Sequence, residues 1–216
     1  MDEYYRLASI RKPEFMGWSQ TEPQTPTRNT SFHPFLNGDE IAGRVQAYKK
    51  LMSKADEINK NIPNDRKDAY FELVTYPVKG AAYMNLKFLY AQKSRLFAKH
   101  GLPVANDYAS LTQEAYNSIK ILTEKYNDVI ANGKWKYIMS MAPRDLAAFQ
   151  LPELPDEIKS DKKGALVWLE GKSEPWQDQL QDKRPAFNPY STRRHFIELF
   201  NKGKDLIKGQ VNDGEN

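Results

Sequence analysis

The chain has 216 residues, of which 40% are hydrophobic and 12% aromatic, enough for one good core or for one core plus a smaller unit. Its 32 Lys and Arg stand against 28 Asp and Glu with the signs interspersed, so the net charge of +4 builds no basic face and nucleic-acid binding is not expected. Cysteine is absent, which removes disulfides, thiolate catalysis and cysteine-based zinc sites, and no apolar run approaches the roughly 18 residues of a membrane span.

Met1-Asp2-Glu3 leads into YYRLASIRKPEF with neither a positive n-region nor an apolar h-region, so it does not read as a signal peptide. The chain reads as though it starts inside something larger, and its compartment stays open. Residues 1–38 form an extended connector rich in aromatics and proline. Six large aromatics (Tyr4, Tyr5, Phe15, Trp18, Phe32 and Phe35) are too many for a solvated tail, so this segment should lie against a surface. Tyr4 to Ile10 is compatible with the end of a helix.

Residues 39–142 carry the pattern of an antiparallel three-helix bundle. Asp39 is placed to cap the first helix, and Ile41, Val45, Tyr48, Met52, Ala55 and Ile58 form its apolar stripe. Pro63 restarts the chain, with Asn64 or Asp65 expected to cap the central helix. That helix, built on Tyr70 to Lys99, would run roughly 45 Å at about 1.5 Å per residue. Val74, Val78, Ala81 and Ala82 make one apolar face, and Tyr70, Leu73, Met84, Phe88 and Ala91 a second. Tyr76, Tyr83 and Tyr90 make a third, as expected of a helix surrounded by other elements, with its polar groups facing water. Pro77 predicts a kink between Leu73 and Pro77. Gly101 followed by Pro103 predicts a left-handed C-terminus. A third helix is expected from Asn106 to Ala131, closed by Asn132-Gly133.

Residues 143–164 read as a linker. Ala165 to Glu170 and Arg194 to Phe200 read as strands opening an incomplete β-sandwich over 165–216. The fold class is therefore mainly α, with a small C-terminal β appendage.

The central segment YFELVTYPVKGAAYMNLKFLYAQKSRLFAKHG resembles the helical region of glycoside hydrolase family 115, the xylan α-1,2-glucuronidases. RLASIRKPEFMGW (6–18), ANDYA (105–109), ANGKW (131–135) and RPAFNPYSTRRHFIELFNKG (184–203) resemble further family segments in the same order. The resemblance implies a multidomain parent in which an α/β barrel precedes the bundle and a β-sandwich follows it. It implies removal of (4-O-methyl)glucuronic acid from xylan side chains with inversion, in a parent that resembles secreted or periplasmic enzymes. Inversion needs two carboxyl groups roughly 6.5–9.5 Å apart. No position here matches the family's catalytic acid or base, so no catalytic residue is assigned. The partners implied are the barrel and sandwich of the parent, xylan through the parent, and a second copy of the chain through a dimer contact. The competing reading is a free-standing helical module that binds a protein or a glycan through residues 4–38.

Other candidates have plainer explanations. Glu40, Glu72, Glu114, Glu124, Glu153 and Glu198 read as helix- or strand-surface charges. His33, His100 and His195 read as a turn residue, a helix-end cap and a strand-surface residue, without metal-ligand spacing, so no metal or cofactor is expected. Trp18, Trp135, Trp168 and Trp176 could stack on sugars, but packing is the simpler role, above all for Trp135 and Trp168. Asn85 reads as a buried hydrogen-bonding residue.

Overall fold

The computed structural model of the chain describes residues 1–10, 16–17, 27–160, 162–176, 190 and 195–203. A short helix α1 (Asp2–Ser9) precedes the first long helix, α2 (Glu40–Lys60). Asp39 caps α2, its carboxylate accepting the Ala42 N–H at 2.8 Å. Ile41, Val45, Tyr48 and Ala55 are buried as the stripe requires, but Ile58 at the far end is exposed.

Neither Asn64 nor Asp65 caps the next helix through its side chain. Pro63 instead leads into a 3₁₀ turn, Asn64–Arg66, tightened by the Arg66 N–H on the Pro63 carbonyl. The short helix α3 (Lys67–Tyr70) follows, then a π-helical turn (Phe71–Thr75), then the central helix α4 (Tyr76–Lys99). The π turn is the form the expected kink takes. Pro77 has no N–H to offer the Leu73 carbonyl, and the chain widens by a residue just before it. Leu73, placed on an apolar face from sequence, points outward from this turn and is 68% exposed.

Helix α4 ends as its sequence demands. Gly101 has φ of 65°, its N–H bonds the Ala98 carbonyl, and the Leu102 N–H reaches back to the Phe97 carbonyl. This pair of bonds satisfies the last carbonyls of the helix. Helix α5 (Val104–Glu124) starts two residues earlier than expected, because a turn at Leu102-Pro103 already takes the Ala105 and Asn106 N–H groups. It widens into a second π turn (Lys125–Val129) and closes through Ala131, Asn132 and Gly133, all at positive φ.

α4 lies between α2 and α5 and runs antiparallel to both. Along α5 the contacts step from Ser94 on Ala105 to Tyr90 against Tyr108 and Tyr76 against Tyr126. Along α2 they step from Lys93–Asp39 to Arg44–Asn85 and Lys79–Asp56.

Strands β1 (Ala165–Leu169) and β2 (Ile197–Asn201) pair antiparallel, with Ala165 opposite Asn201 and Leu169 opposite Ile197. Two strands would not persist alone in water. This pair is held by its inner face, where Leu166, Trp168 and Phe200 pack on Phe97, Leu102 and Ala105 at the α4–α5 turn. Phe35 completes the cluster, stacked on Trp168 at 4.0 Å and fully buried. Burial of such a ring contributes about 1.5–3 kcal/mol. The aromatic content of the N-terminal connector is thus partly spent on the sheet, while Phe32 packs beside Ile41 and Leu86 on the helices. Phe15 and Trp18, and the C-terminal tail after Gly203, lie outside the described residues.

Candidate functional site

The central helix has a polar side, and apart from Asn85, buried and hydrogen-bonded as its sequence suggests, it does not face water as expected: Lys87, Gln92, Lys93 and Ser94 are buried too. Each is turned toward the main chain or a charged group of another segment, which replaces the water it would otherwise need. The Gln92 carboxamide accepts from the Thr30 N–H and hydroxyl, and donates to the Phe32 carbonyl at 2.8 Å. Arg95 donates to Asn29 Oδ1 and to the Glu153 carbonyl. Lys87 Nζ donates to the carbonyls of Ala148 and Gln150, both at 2.9 Å. Its ammonium lies over the Phe88 ring at 4.8 Å and near Tyr116, and burial pulls its pKa down to about 7. Asn85 holds the buried Arg44, which also reaches the Leu7 carbonyl of α1. Through these groups α4 fixes α1, the connector at 29–32 and the segment at 148–153.

A second charged cluster lies where the sheet meets the start of α2. Glu170, at the end of β1, is buried and accepts the Gly38 N–H (2.8 Å) and the Phe196 N–H (3.2 Å), with His195 Nδ1 at 3.1 Å. With these three partners the carboxylate ties the end of β1 to the turn before α2 and to the start of β2. Lys93 sits 3.7 Å from Asp39. Glu198 on β2 faces both: burial raises its carboxyl pKa, the Lys93 ammonium opposes that rise, and Asp39 adds to it. Glu198 is therefore not a plain strand-surface charge. His195 likewise precedes β2 and pairs with Glu170 rather than lying on a strand surface.

The remaining candidates separate. Glu40 accepts from the His33 N–H and from Asn37, and Glu72 accepts from the Tyr126 hydroxyl at 3.3 Å. Glu114, Glu124 and Glu153 are exposed. His33 takes the Phe35 N–H at Nδ1, in a turn. His100 follows α4, edge-on to Trp168 and 3.4 Å from Glu174. Trp168 is fully buried, Trp135 packs beside Tyr126 and Ile130, Trp176 is 38% exposed, and Trp18 lies outside the described residues. Among the described residues no group of three His, Asp or Glu is gathered for a metal, and no helix is long and apolar enough to cross a membrane. Glu170 and Lys87 escaped sequence reasoning. Their only signal was position: an acid closing an apolar strand, and a lysine inside LKFLY.

No family model matches the chain, and no curated protein matches it. Among solved structures, it matches a family GH115 4-O-methyl-α-glucuronidase with specificity for decorated arabinogalactans, at 38% identity and a TM-score of 0.56. The chain is similar to part of a GH115 glycoside hydrolase. The match covers 76% of this chain and 21% of that one, so the chain spans about a fifth of the relative's length.

Proposed function

We propose that the chain is the helical, non-catalytic portion of a GH115-type α-glucuronidase, holding a catalytic barrel and a β-domain in register. The observation that carries this reading is the unequal coverage of the match, most of this chain against a fifth of the relative, at 38% identity. The geometry agrees with it. The charged residues of α4 and the sheet are engaged in fastening segments together, and the buried Glu170 carboxylate joins β1 to Gly38, His195 and Phe196. The outer face of the sheet, with Ile197 and Leu199 each about three-fifths exposed, offers an apolar surface to a following β-domain or to a second copy of the chain. The parent's reaction would be release of (4-O-methyl)glucuronic acid from a polysaccharide, with xylan as the substrate that the family resemblance implies and the arabinogalactans of the relative as the other choice.

The test is an assay of the isolated chain on glucuronoxylan and on a glucuronic-acid-decorated arabinogalactan. No uronic acid should be released from either. Release above a heat-treated control would overturn the non-catalytic assignment.

A further inference from the structure

The segment that follows the turn closing α5 crosses α4 as a strap. Two 3₁₀ turns, Pro143–Asp145 and Ala147–Phe149, bend it, and Ala148 is buried against Phe88 of α4 and Met16 of the connector. Beneath the strap lies Lys87, fully buried, its Nζ donating to the Ala148 and Gln150 carbonyls at 2.9 Å each. Two carbonyls are a full set for a neutral amine, which has two N–H groups, and one short for an ammonium, which has three. The third N–H meets only ring faces, Phe88 at 4.8 Å and Tyr116 at 5.8 Å.

The surrounding groups do not favour a proton there. On α4 the residues one turn away, Tyr83, Met84, Tyr90 and Ala91, carry no charge. On α5, Lys120 lies 5.9 Å from the same Tyr116 ring, a second cation rather than a counterion. On the strap, Arg144, Asp145 and Glu153 are exposed, and among the described residues no carboxylate pairs with the Lys87 amine. The strap's further fastenings do not titrate near neutrality. Arg95 holds the Glu153 carbonyl at 2.9 Å, and the Asn106 carboxamide holds the N–H and carbonyl of Ile158 at 2.9 and 3.0 Å. A guanidinium keeps its charge in this range, and an amide has none to lose. A cavity of about 220 Å³, lined by Met84, Ile119 and Phe149 among others, lies one turn of α4 from Lys87 and has room for water beside the strap.

We propose that residues 146–150 are a proton-operated strap on α4, closed on the neutral Lys87 amine and lifted when that amine takes up a proton. The lift is local, because Glu153 and Ile158 stay fastened, and it uncovers Phe88 and Met16. In the closed strap burial holds the amine's pKa down to about 7, whereas a solvated lysine titrates near 10.4. Between those values the lifted form binds more protons than the closed one, so lifting grows as pH falls through that window. Below about 7 both forms carry the proton, and the lifted fraction levels off. From pH 9 to pH 7 it should rise about 50-fold, and from pH 7 to pH 6 only about twofold. The inference goes beyond the fastening role and does not depend on the glycosidase reading.

Hydrogen exchange of the full chain tests it, followed by mass spectrometry from pH 6 to pH 9 and scaled to the intrinsic rate at each pH. The amides to read are those of Phe149 and Gln150, which bond the Leu146 and Ala147 carbonyls, with the Tyr48 amide of α2 as reference. The strap amides should exchange ahead of α2 and without response to low, non-denaturing urea, the mark of a local opening. Their protection should fall about 50-fold from pH 9 to pH 7 and then flatten. Lys87→Met should remove that pH dependence. If circular dichroism shows that variant unfolded, Lys87→Gln, which keeps a donor and cannot titrate, takes its place with the same expectation. Strap amides that exchange only together with α2, protection that is flat between pH 9 and pH 7, or the same fall in the variant would each overturn the proposal.

Discussion

Lys87 is the most informative residue to change. Its amine is fully buried and its pKa is drawn down to about 7, while an unfolded lysine titrates near 10.4. Below pH 7 both states carry the proton, and the folded state bears the full cost of a buried cation. Between about 7 and 10.4 the unfolded chain holds a proton that the folded chain has released, so stability must rise with pH. The limiting slope is about 1.4 kcal/mol per pH unit, and integration from pH 7 to 9 gives a gain of about 2 kcal/mol. The neutral amine still has two N–H groups, one for each of the Ala148 and Gln150 carbonyls. Lys87→Met keeps the volume of the stem and removes both the titration and the two donors. At pH 9 the variant should be the less stable by about 1–3 kcal/mol, because two inward carbonyls lose their partner. At pH 7 that gap should shrink by about 2 kcal/mol, as the wild type then begins to carry a buried charge. Urea unfolding of both proteins at pH 7 and pH 9 measures this directly. Parallel pH dependences for the two proteins would refute the argument, since they would mean that the amine titrates alike in the folded and unfolded states.

Two further substitutions probe the other fastenings of α4. Gln92→Ala removes three hydrogen bonds to Thr30 and Phe32 and should cost about 2–3 kcal/mol. Hydrogen exchange at Thr30–Phe32 should quicken well before α2 or α5 is affected, and a uniform change along the chain would contradict a local role. Phe35→Ala opens the stack on Trp168 and should cost about 3–5 kcal/mol. Tryptophan emission should shift to the red as the sheet loosens from the helices, and an unshifted spectrum would mean that the sheet is held by other contacts.

What could be read from the sequence were the features written locally. Asp39 before an apolar stripe, Gly101 ahead of Pro103, Pro77 within a helical run and two short strands each carry their own chemistry over a few residues. The exact form of the kink was not local, since a π turn depends on how Phe71 and Thr75 are buried as well as on the missing proline N–H. The polar side of α4 was misread for the same reason. Lysine and glutamine at helical spacing imply water unless something else supplies acceptors and donors. Here the suppliers are the main chains at 29–32 and 148–153, which are remote in sequence and irregular in form. Glu170 was missed because a glutamate closing a strand looks solvated until Gly38 and His195 are folded onto it.

The role we propose for this chain, fastening a larger GH115-type glycosidase without carrying its catalytic groups, can be tested in a chimera. The most direct measurement replaces the matching fifth of the arabinogalactan-specific relative with this chain and follows glucuronic acid release by the chimera. The chimera should be soluble and retain the relative's activity on its own substrate, while a deletion of the same span should not. A chimera that folds but acquires a different reaction, or a deletion that stays fully active, would contradict it.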